Sequence, residues 1–128
     1  MKIEKIFQAT SIQSAIIAGY LASASKDYIG QVTIKIKNTD HLQLNNAVQK
    51  IYSRHEALRT AFDWQHARGV QGVVADQLPS SDYVNQYEIY SLDEILNIKK
   101  IESELINLNK PPLIRLALIS LDDQSFLL

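Results

Sequence analysis

The chain has 128 residues, 46% of them hydrophobic and 21% charged, which suits one small globular unit spanning residues 1–128 and leaves little room for a second domain. Lys and Arg number 13 against 14 Asp and Glu, and the resulting net charge of −1 gives no signal for nucleic acid or for a polybasic membrane contact. Cysteine is absent, which excludes disulfides and thiolate metal sites, and no apolar run is long enough for a secretory signal or a transmembrane helix, so a soluble, cytoplasmic protein is expected.

Residues 2–8 alternate loosely around Ile3, Ile6 and Phe7 and predict a short first strand. Thr10 or Ser11 then caps a helix to about residue 24, because a hydroxyl at that place accepts from the free N–H groups of the first turn. The small residues of this helix, Ala15, Ala18, Gly19 and Ala22, predict close packing against another element. Residues 31–37 alternate cleanly, with Val32, Ile34 and Ile36 on one face and Gln31, Thr33, Lys35 and Lys37 on the other, the pattern of a half-buried strand. Asn38-Thr39-Asp40 turns the chain and caps a second helix over 41–53, with Leu44, Val48, Ile51 and, one turn on, His55 along one face. On that face His55 points toward the core as a hydrogen-bonded structural histidine.

Residues 60–64 read as a strand, 66–69 as a turn with a solvated His66, and 70–75 as the returning hairpin partner. Residues 78–82 break the pattern and 87–90 form a short strand. Ser91 caps a third helix to about residue 107, with Glu94 as its capping-box partner and Leu92, Ile95, Leu96, Ile98, Ile101, Leu105 and Ile106 as its apolar positions. Residues 111–121 are nearly all apolar and predict a strand covered on both faces. Arg115 stands in this stretch and requires either a carboxylate or a route to solvent. Residues 122–124 turn, and 125–128 begin a final strand that ends as an unfinished edge. The three histidines lie 14 and 11 residues apart on different elements, and neither a metal-ligand spacing, a glycine-rich phosphate loop nor a G-x-S-x-G elbow occurs.

The stretch that concentrates charge is the junction between the second helix and the strand that follows. Arg54, His55 and Glu56 stand in a row where the helical period ends, and Arg59 follows. Charges at such a junction are costly unless paired, which predicts a fixed network. Glu56 lies three positions before Arg59, the spacing of a pair if the helical turn persists, and a carboxylate near a helix C-terminus calls for such a cation.

Arg54-His55-Glu56-Ala57-Leu58-Arg59-Thr60-Ala61-Phe62 resembles the RHExLRTxF core motif of condensation domains in non-ribosomal peptide synthetases, matching at all seven specified positions. Thr10-Ser11-Ile12-Gln13 is similar to the first core motif of that family, with Thr10 and Gln13 in place but with Ala15 and Ile17 where the family carries an arginine and an aromatic residue. Leu113-Ile114-Arg115-Leu116-Ala117-Leu118-Ile119 resembles the family's P-L-x-R-L-x-L-I strand. The order strand, helix, strand, helix, hairpin, strand, helix, buried strand matches the N-terminal lobe of such a domain. The implied fold is α+β: a chloramphenicol acetyltransferase-like half-domain, an α/β sandwich with a mixed sheet packed by about three helices.

The resemblance implies that the complete domain joins an upstream acyl or peptidyl thioester to the amine of a downstream aminoacyl thioester. Both substrates arrive on phosphopantetheine arms of upstream and downstream carrier proteins, and the domain binds no cofactor directly. In the family the last strand leads into an HHxxxDG motif, whose second histidine sits at the acceptor amine. The 128 residues end just before the place of that motif, so no catalytic residue and no metal ligand is assigned within them, and the C-terminal lobe is expected as a partner. Thr10, Gln13, Arg54, His55, Glu56, Leu58, Arg59, Thr60, Phe62 and Arg115 are given motif and scaffolding roles. Arg54, Glu56 and Arg59 form a charge network, His55 is a buried hydrogen-bonding post, Gln13 helps fix the first helix, and in the whole domain Arg59 reaches the aspartate of HHxxxDG. A docking module for carrier proteins and a gene fragment without function remain as other readings. Epimerisation and heterocyclisation domains share the fold, while Glu56 and Thr60 lean toward ordinary condensation.

Overall fold

A computed structural model describes residues 2–24, 26–37, 39–66, 68–78 and 82–128. Of the expected turn and breaker positions, Asn38, Ala67, Pro79, Ser80 and Ser81 lie outside the described residues. The elements are β1 (Ile3–Gln8), α1 (Ser11–Ser23), β2 (Ile34–Ile36), α2 (His41–Arg54), a 3-10 turn (Glu56–Arg59), β3 (Thr60–Asp63), β4 (Gln71–Ala75), β5 (Val84–Ile89), α3 (Glu94–Glu104), β6 (Leu116–Leu121) and β7 (Gln124–Leu127). They build two sheets: an antiparallel one in the order β1-β4-β3, and a mixed one in the order β2-β7-β6-β5.

The mixed sheet is the centre of the sandwich. β5 and β6 run parallel, which requires a crossover, and α3 supplies it. Along β6 successive side chains alternate between the sheet faces. Leu118 packs with Val48 and Tyr52 of α2 and Val84, whereas Ala117 and Ile119 pack with Ile98 of α3 and Ile89. β6 is therefore covered on both faces, as its apolar run predicts, although the ladder begins only at Leu116. Residues 111–115 form an irregular lead-in with a cis Pro111-Pro112 bond.

The second sheet holds a tight cross-strand contact. Phe7 of β1 lies opposite Gly72 of β4. A Cβ on Gly72 would stand 2.1 Å from the Phe7 ring, so only glycine lets the ring lie across the strand. The β3–β4 hairpin turns through Gly69 at φ +84, a left-handed conformation suited to glycine. The Asp63 carboxylate steadies the same turn by accepting from the N–H groups of Gln65 and His66.

Four expectations are corrected. The small face of α1 is not packed: Ala15, Ala18, Gly19 and Ala22 are not buried, and nothing lies within 4 Å of a Cβ built on Gly19. The helix instead buries Ile17 and sets Tyr20 edge-on against Tyr28 and Trp64. β2 is three residues long, with Val32 and Ile34 exposed, because it is an edge strand whose described neighbour is β7 alone. α2 is rotated relative to its apolar pattern. Its buried positions are Asn45, Val48 and Tyr52, while Ile51 is half exposed. Two polar groups allow this rotation: Asn45 Oδ1 accepts from the N–H groups of Tyr83 and Val84, and Tyr52 OH donates to the Ile114 carbonyl, so both are satisfied inside. Finally, β7 is not an unfinished edge. It pairs with β6 on one side and β2 on the other.

Candidate functional site

The junction after α2 is organised by Arg59, which is only 6% exposed. α2 ends at Arg54, and its last carbonyls have no intrahelical donor. The chain turns through one 3-10 turn, closed by the Thr60 hydroxyl donating to the Glu56 carbonyl at 2.8 Å. This turn brings the Arg59 side chain back under the helix end. There Nε donates to the Tyr52 carbonyl at 3.0 Å and Nη2 approaches the Ser53 carbonyl at 3.4 Å. Nη1 donates to the Ala75 carbonyl at the end of β4 and to Glu4 Oε2 of β1 at 2.6 Å. A cation at a helix C-terminus is favourable with the helix dipole, and a buried guanidinium needs both an anion and a full set of acceptors. Arg59 thus ties α2, β1 and β4 together.

The expected Glu56–Arg59 pair does not form. Glu56 is exposed and pairs across to Lys5 of β1 at 2.7 Å, whose hydrogen bond and charge hold its carboxyl below the usual range. His55 is exposed as well, against the expectation of a buried post. Its backbone still links the elements, since its N–H donates to the Ile51 carbonyl and its carbonyl accepts from Leu58 N–H. The reason is the rotation of α2, which turns Ile51 and His55 toward solvent while Leu44 stays packed against the core. Arg54 lies exposed in the last helical turn. Leu58 is half-buried against the α2-side core, and Phe62 is half-buried in β3, its N–H donating to the Leu108 carbonyl at 2.8 Å. Far from this junction, Thr10 and Gln13 form a capping box on α1: Gln13 N–H donates to Thr10 Oγ1, and Thr10 N–H to Gln13 Oε1.

Arg115 sits in a second cluster whose other members fall outside the sequence motifs. Its Nε donates to Glu102 Oε2 of α3 at 2.8 Å. Glu102 Oε1 accepts from Tyr87 OH at 2.6 Å and from Asn85 Nδ2 at 2.8 Å, both on β5. Burial raises the Glu102 carboxyl, but the hydrogen bonds from Tyr87, Asn85 and Arg115 and the Arg115 charge together bring it below its ordinary value. Burial, then the hydrogen bond to Glu102, pushes the Tyr87 phenol up to about 12. Glu102 lies four residues after the buried Ile98 on the same helical face, and an acid on an apolar stripe opposite an arginine in a buried strand was the available signal for this pair.

Two cavities flank Arg115. One, of about 410 Å³, lies between residues 28–32, the end of α3, residues 113–116 and Leu128. The other, of about 270 Å³, is bordered by Leu78, Tyr83, Asn85 and Leu116. Among the described residues no histidine lines either cavity, although His41 Nε2 lies 3.6 Å from Asp82, which borders the smaller one. His41 Nε2 is 2.6 Å from the Val84 carbonyl, and His66 Nδ1 is 3.1 Å from the Asp63 carboxylate. The arrangement can hold and orient elements. The described polar side chains in it are bonded to each other rather than converging on a reacting atom.

A mixed sheet between two helices, with a separate antiparallel sheet tied to α2 through a buried arginine, defines part of the chloramphenicol acetyltransferase-like fold found in condensation domains. The chain belongs to the Condensation domain family, whose model matches residues 3–128. It is 26% identical over 132 residues to a linear gramicidin synthase protein of Brevibacillus parabrevis, covering 97% of this chain and 2% of that protein. Its fold is similar to the first condensation domain of the CDA synthetase, with a TM-score of 0.81 at 13% identity over 98% of this chain and 34% of that one. It is also similar to the epimerization domain from the third module of tyrocidine synthetase B, with a TM-score of 0.74 at 19% identity over 98% of this chain and 30% of that one. The chain therefore spans about a third of the solved chains it matches. Among the described residues no helix is long and apolar enough to cross a membrane.

Proposed function

We propose that these residues are the N-terminal part of a non-ribosomal peptide synthetase condensation domain, stopping just before its HHxxxDG motif, and that they supply scaffold to an amide-forming site completed by a C-terminal lobe. The observation that carries this reading is the family match over residues 3–128. In the complete domain the acceptor amine attacks the donor thioester carbonyl. The C–N bond forms, the C–S bond breaks, and the amine proton leaves to a base while the thiol departs on its carrier protein. Holding the amine at the carbonyl removes much of the entropic barrier, and the histidine of HHxxxDG is placed to manage the proton. Upstream and downstream carrier proteins bring both substrates on phosphopantetheine arms, in the cytoplasm. Glu56 and Thr60 favour the condensation sub-type over epimerisation. The part given to Arg59 is to hold α2, β1 and β4 in register beneath that site.

The test mixes the chain with donor and acceptor carrier proteins loaded with their thioesters and follows product by mass spectrometry. No condensed product is expected from these 128 residues alone. Product that survives His41→Ala, His55→Ala and His66→Ala would overturn the reading.

A further inference from the structure

One wall of the larger cavity lies outside both sheets. Residues 28–32 form that wall and face the end of α3 and Arg115 across about 410 Å³. Among the described residues, 27–32 make one backbone hydrogen bond, from Ile29 N–H to the Lys26 carbonyl at 3.0 Å. Side chains fasten the stretch instead. Lys26 Nζ donates to the Glu104 carbonyl at 3.0 Å and approaches the Ser103 carbonyl at 3.4 Å. Gln31 Nε2 donates to the Lys99 carbonyl, one turn earlier on α3, at 2.7 Å. Between these two ties the Tyr28 ring meets Tyr20 of α1 edge-on at 5.9 Å.

The end of α3 has a physical reason to bind this stretch. A helix C-terminus carries partial negative charge and unsatisfied carbonyls, so a cation is favourable there. The last turn of α3 holds Glu102 and Glu104 and no basic residue, and the cation comes from Lys26, 78 residues away along the chain. The carbonyls it reaches directly follow Glu102, which holds Arg115, so one helix end fixes both walls of the cavity. The closed arrangement also carries a cost. Thr33, where the stretch enters β2, has its hydroxyl oxygen buried without a hydrogen-bond partner among the described residues. A buried unpaired hydroxyl is destabilising, and water satisfies it once the stretch lifts.

We propose that residues 26–33 are a releasable strap over this cavity, latched to the end of α3 by Lys26 and Gln31 and poised to lift by the unpaired Thr33 hydroxyl. The strap opens as a unit while both sheets stay intact, and its opening uncovers Arg115. It rests on these contacts and not on the function proposed above.

Hydrogen exchange of the 128-residue chain in dilute urea tests the strap. Ile29 N–H is expected to exchange with almost no urea dependence, as a local opening does, while Ile119 in the buried β6 follows global unfolding. Lys26→Met and Gln31→Leu are each expected to speed exchange at Ile29 about tenfold, and Lys26→Arg to leave it as in the parent. Thr33→Val, which removes the unpaired hydroxyl, is expected to slow it. Ile29 exchange with the urea dependence of Ile119 would overturn the proposal, because the stretch would then open only with the whole fold. Unchanged Ile29 exchange in Gln31→Leu would overturn it too, by showing a turn that frays alone rather than a strap. Lys26→Arg as fast as Lys26→Met would remove charge as the latch, and faster exchange in Thr33→Val would remove the hydroxyl as the element that favours opening. No thioester or carrier protein enters this experiment, so its failure leaves the amide-forming reading to its own assay, and the converse holds.

Discussion

Arg59 shows how much one buried charge is asked to do. Its guanidinium is surrounded by carbonyls from the end of α2 and the end of β4, and its anionic partner is Glu4 rather than the nearer-in-sequence Glu56. Removing the side chain leaves those carbonyls and the Glu4 carboxylate without a donor, so Arg59→Ala is expected to cost about 3 kcal/mol in urea unfolding. Glu4 is partly exposed, which limits the direct pair to about 1 kcal/mol. A double-mutant cycle of Arg59→Ala with Glu4→Gln should therefore show coupling near that size, whereas the cycle with Glu56→Gln should show almost none. Coupling to Glu56 but not to Glu4 would mean that the junction is wired locally after all.

At the scale of elements, α3 is pinned to the sheet by a polar cluster as well as by Ile98. Glu102 gathers Tyr87 and Asn85 from β5 and Arg115 from the lead-in to β6, so the crossover helix and both parallel strands meet at one carboxylate. The titration of this cluster has a definite sign. The Tyr87 phenol is raised from 10.0 to about 12, and burial raises Tyr52 to about 12 as well. A phenol whose pKa is higher in the folded state contributes stability that is complete below pH 10 and is lost as pH rises through 12. Glu102 works in the opposite direction, its contribution being present above the ordinary value of 4.5 and lost as pH falls below it. Thermal unfolding across pH is expected to show both losses. Tyr87→Phe should flatten the alkaline one, and an alkaline slope unchanged in a Tyr52→Phe, Tyr87→Phe protein would remove these phenols as its cause.

Over the whole molecule, the exposed apolar surface is the feature with consequences in solution. Ile12 on α1 is 75% exposed, Leu96 on α3 72% and Val32 beside β2 73%. The origin is not an open edge at β7, since both of its sides are paired. It is the outer faces of the helices and the short edge strand β2, surfaces that a protein normally covers. Light scattering is expected to show concentration-dependent self-association, and Ile12→Lys with Leu96→Lys should reduce it. A monodisperse parent at high concentration would show that these faces are tolerated in water.

Several features were determined by local sequence. Thr10 and Gln13 form their capping box, Asp40 caps α2, Gly69 turns the hairpin, and the apolar run at 116–121 becomes a strand covered on both faces, because each depends on backbone chemistry or periodicity within a few residues. The RHExLRTxF string likewise marked the junction and, with the order of elements, the family. Partners across the chain were decided by tertiary structure. Whether Arg59 turned to Glu56 or Glu4 depended on β1, 55 residues away, passing under the end of α2. Which stripe of α2 went inside depended on Asn45 and Tyr52 finding donors and acceptors on other elements, and that rotation carried His55 into solvent. Polar groups go inside only where distant atoms satisfy them, and those atoms are brought near by the fold rather than by their spacing along the chain.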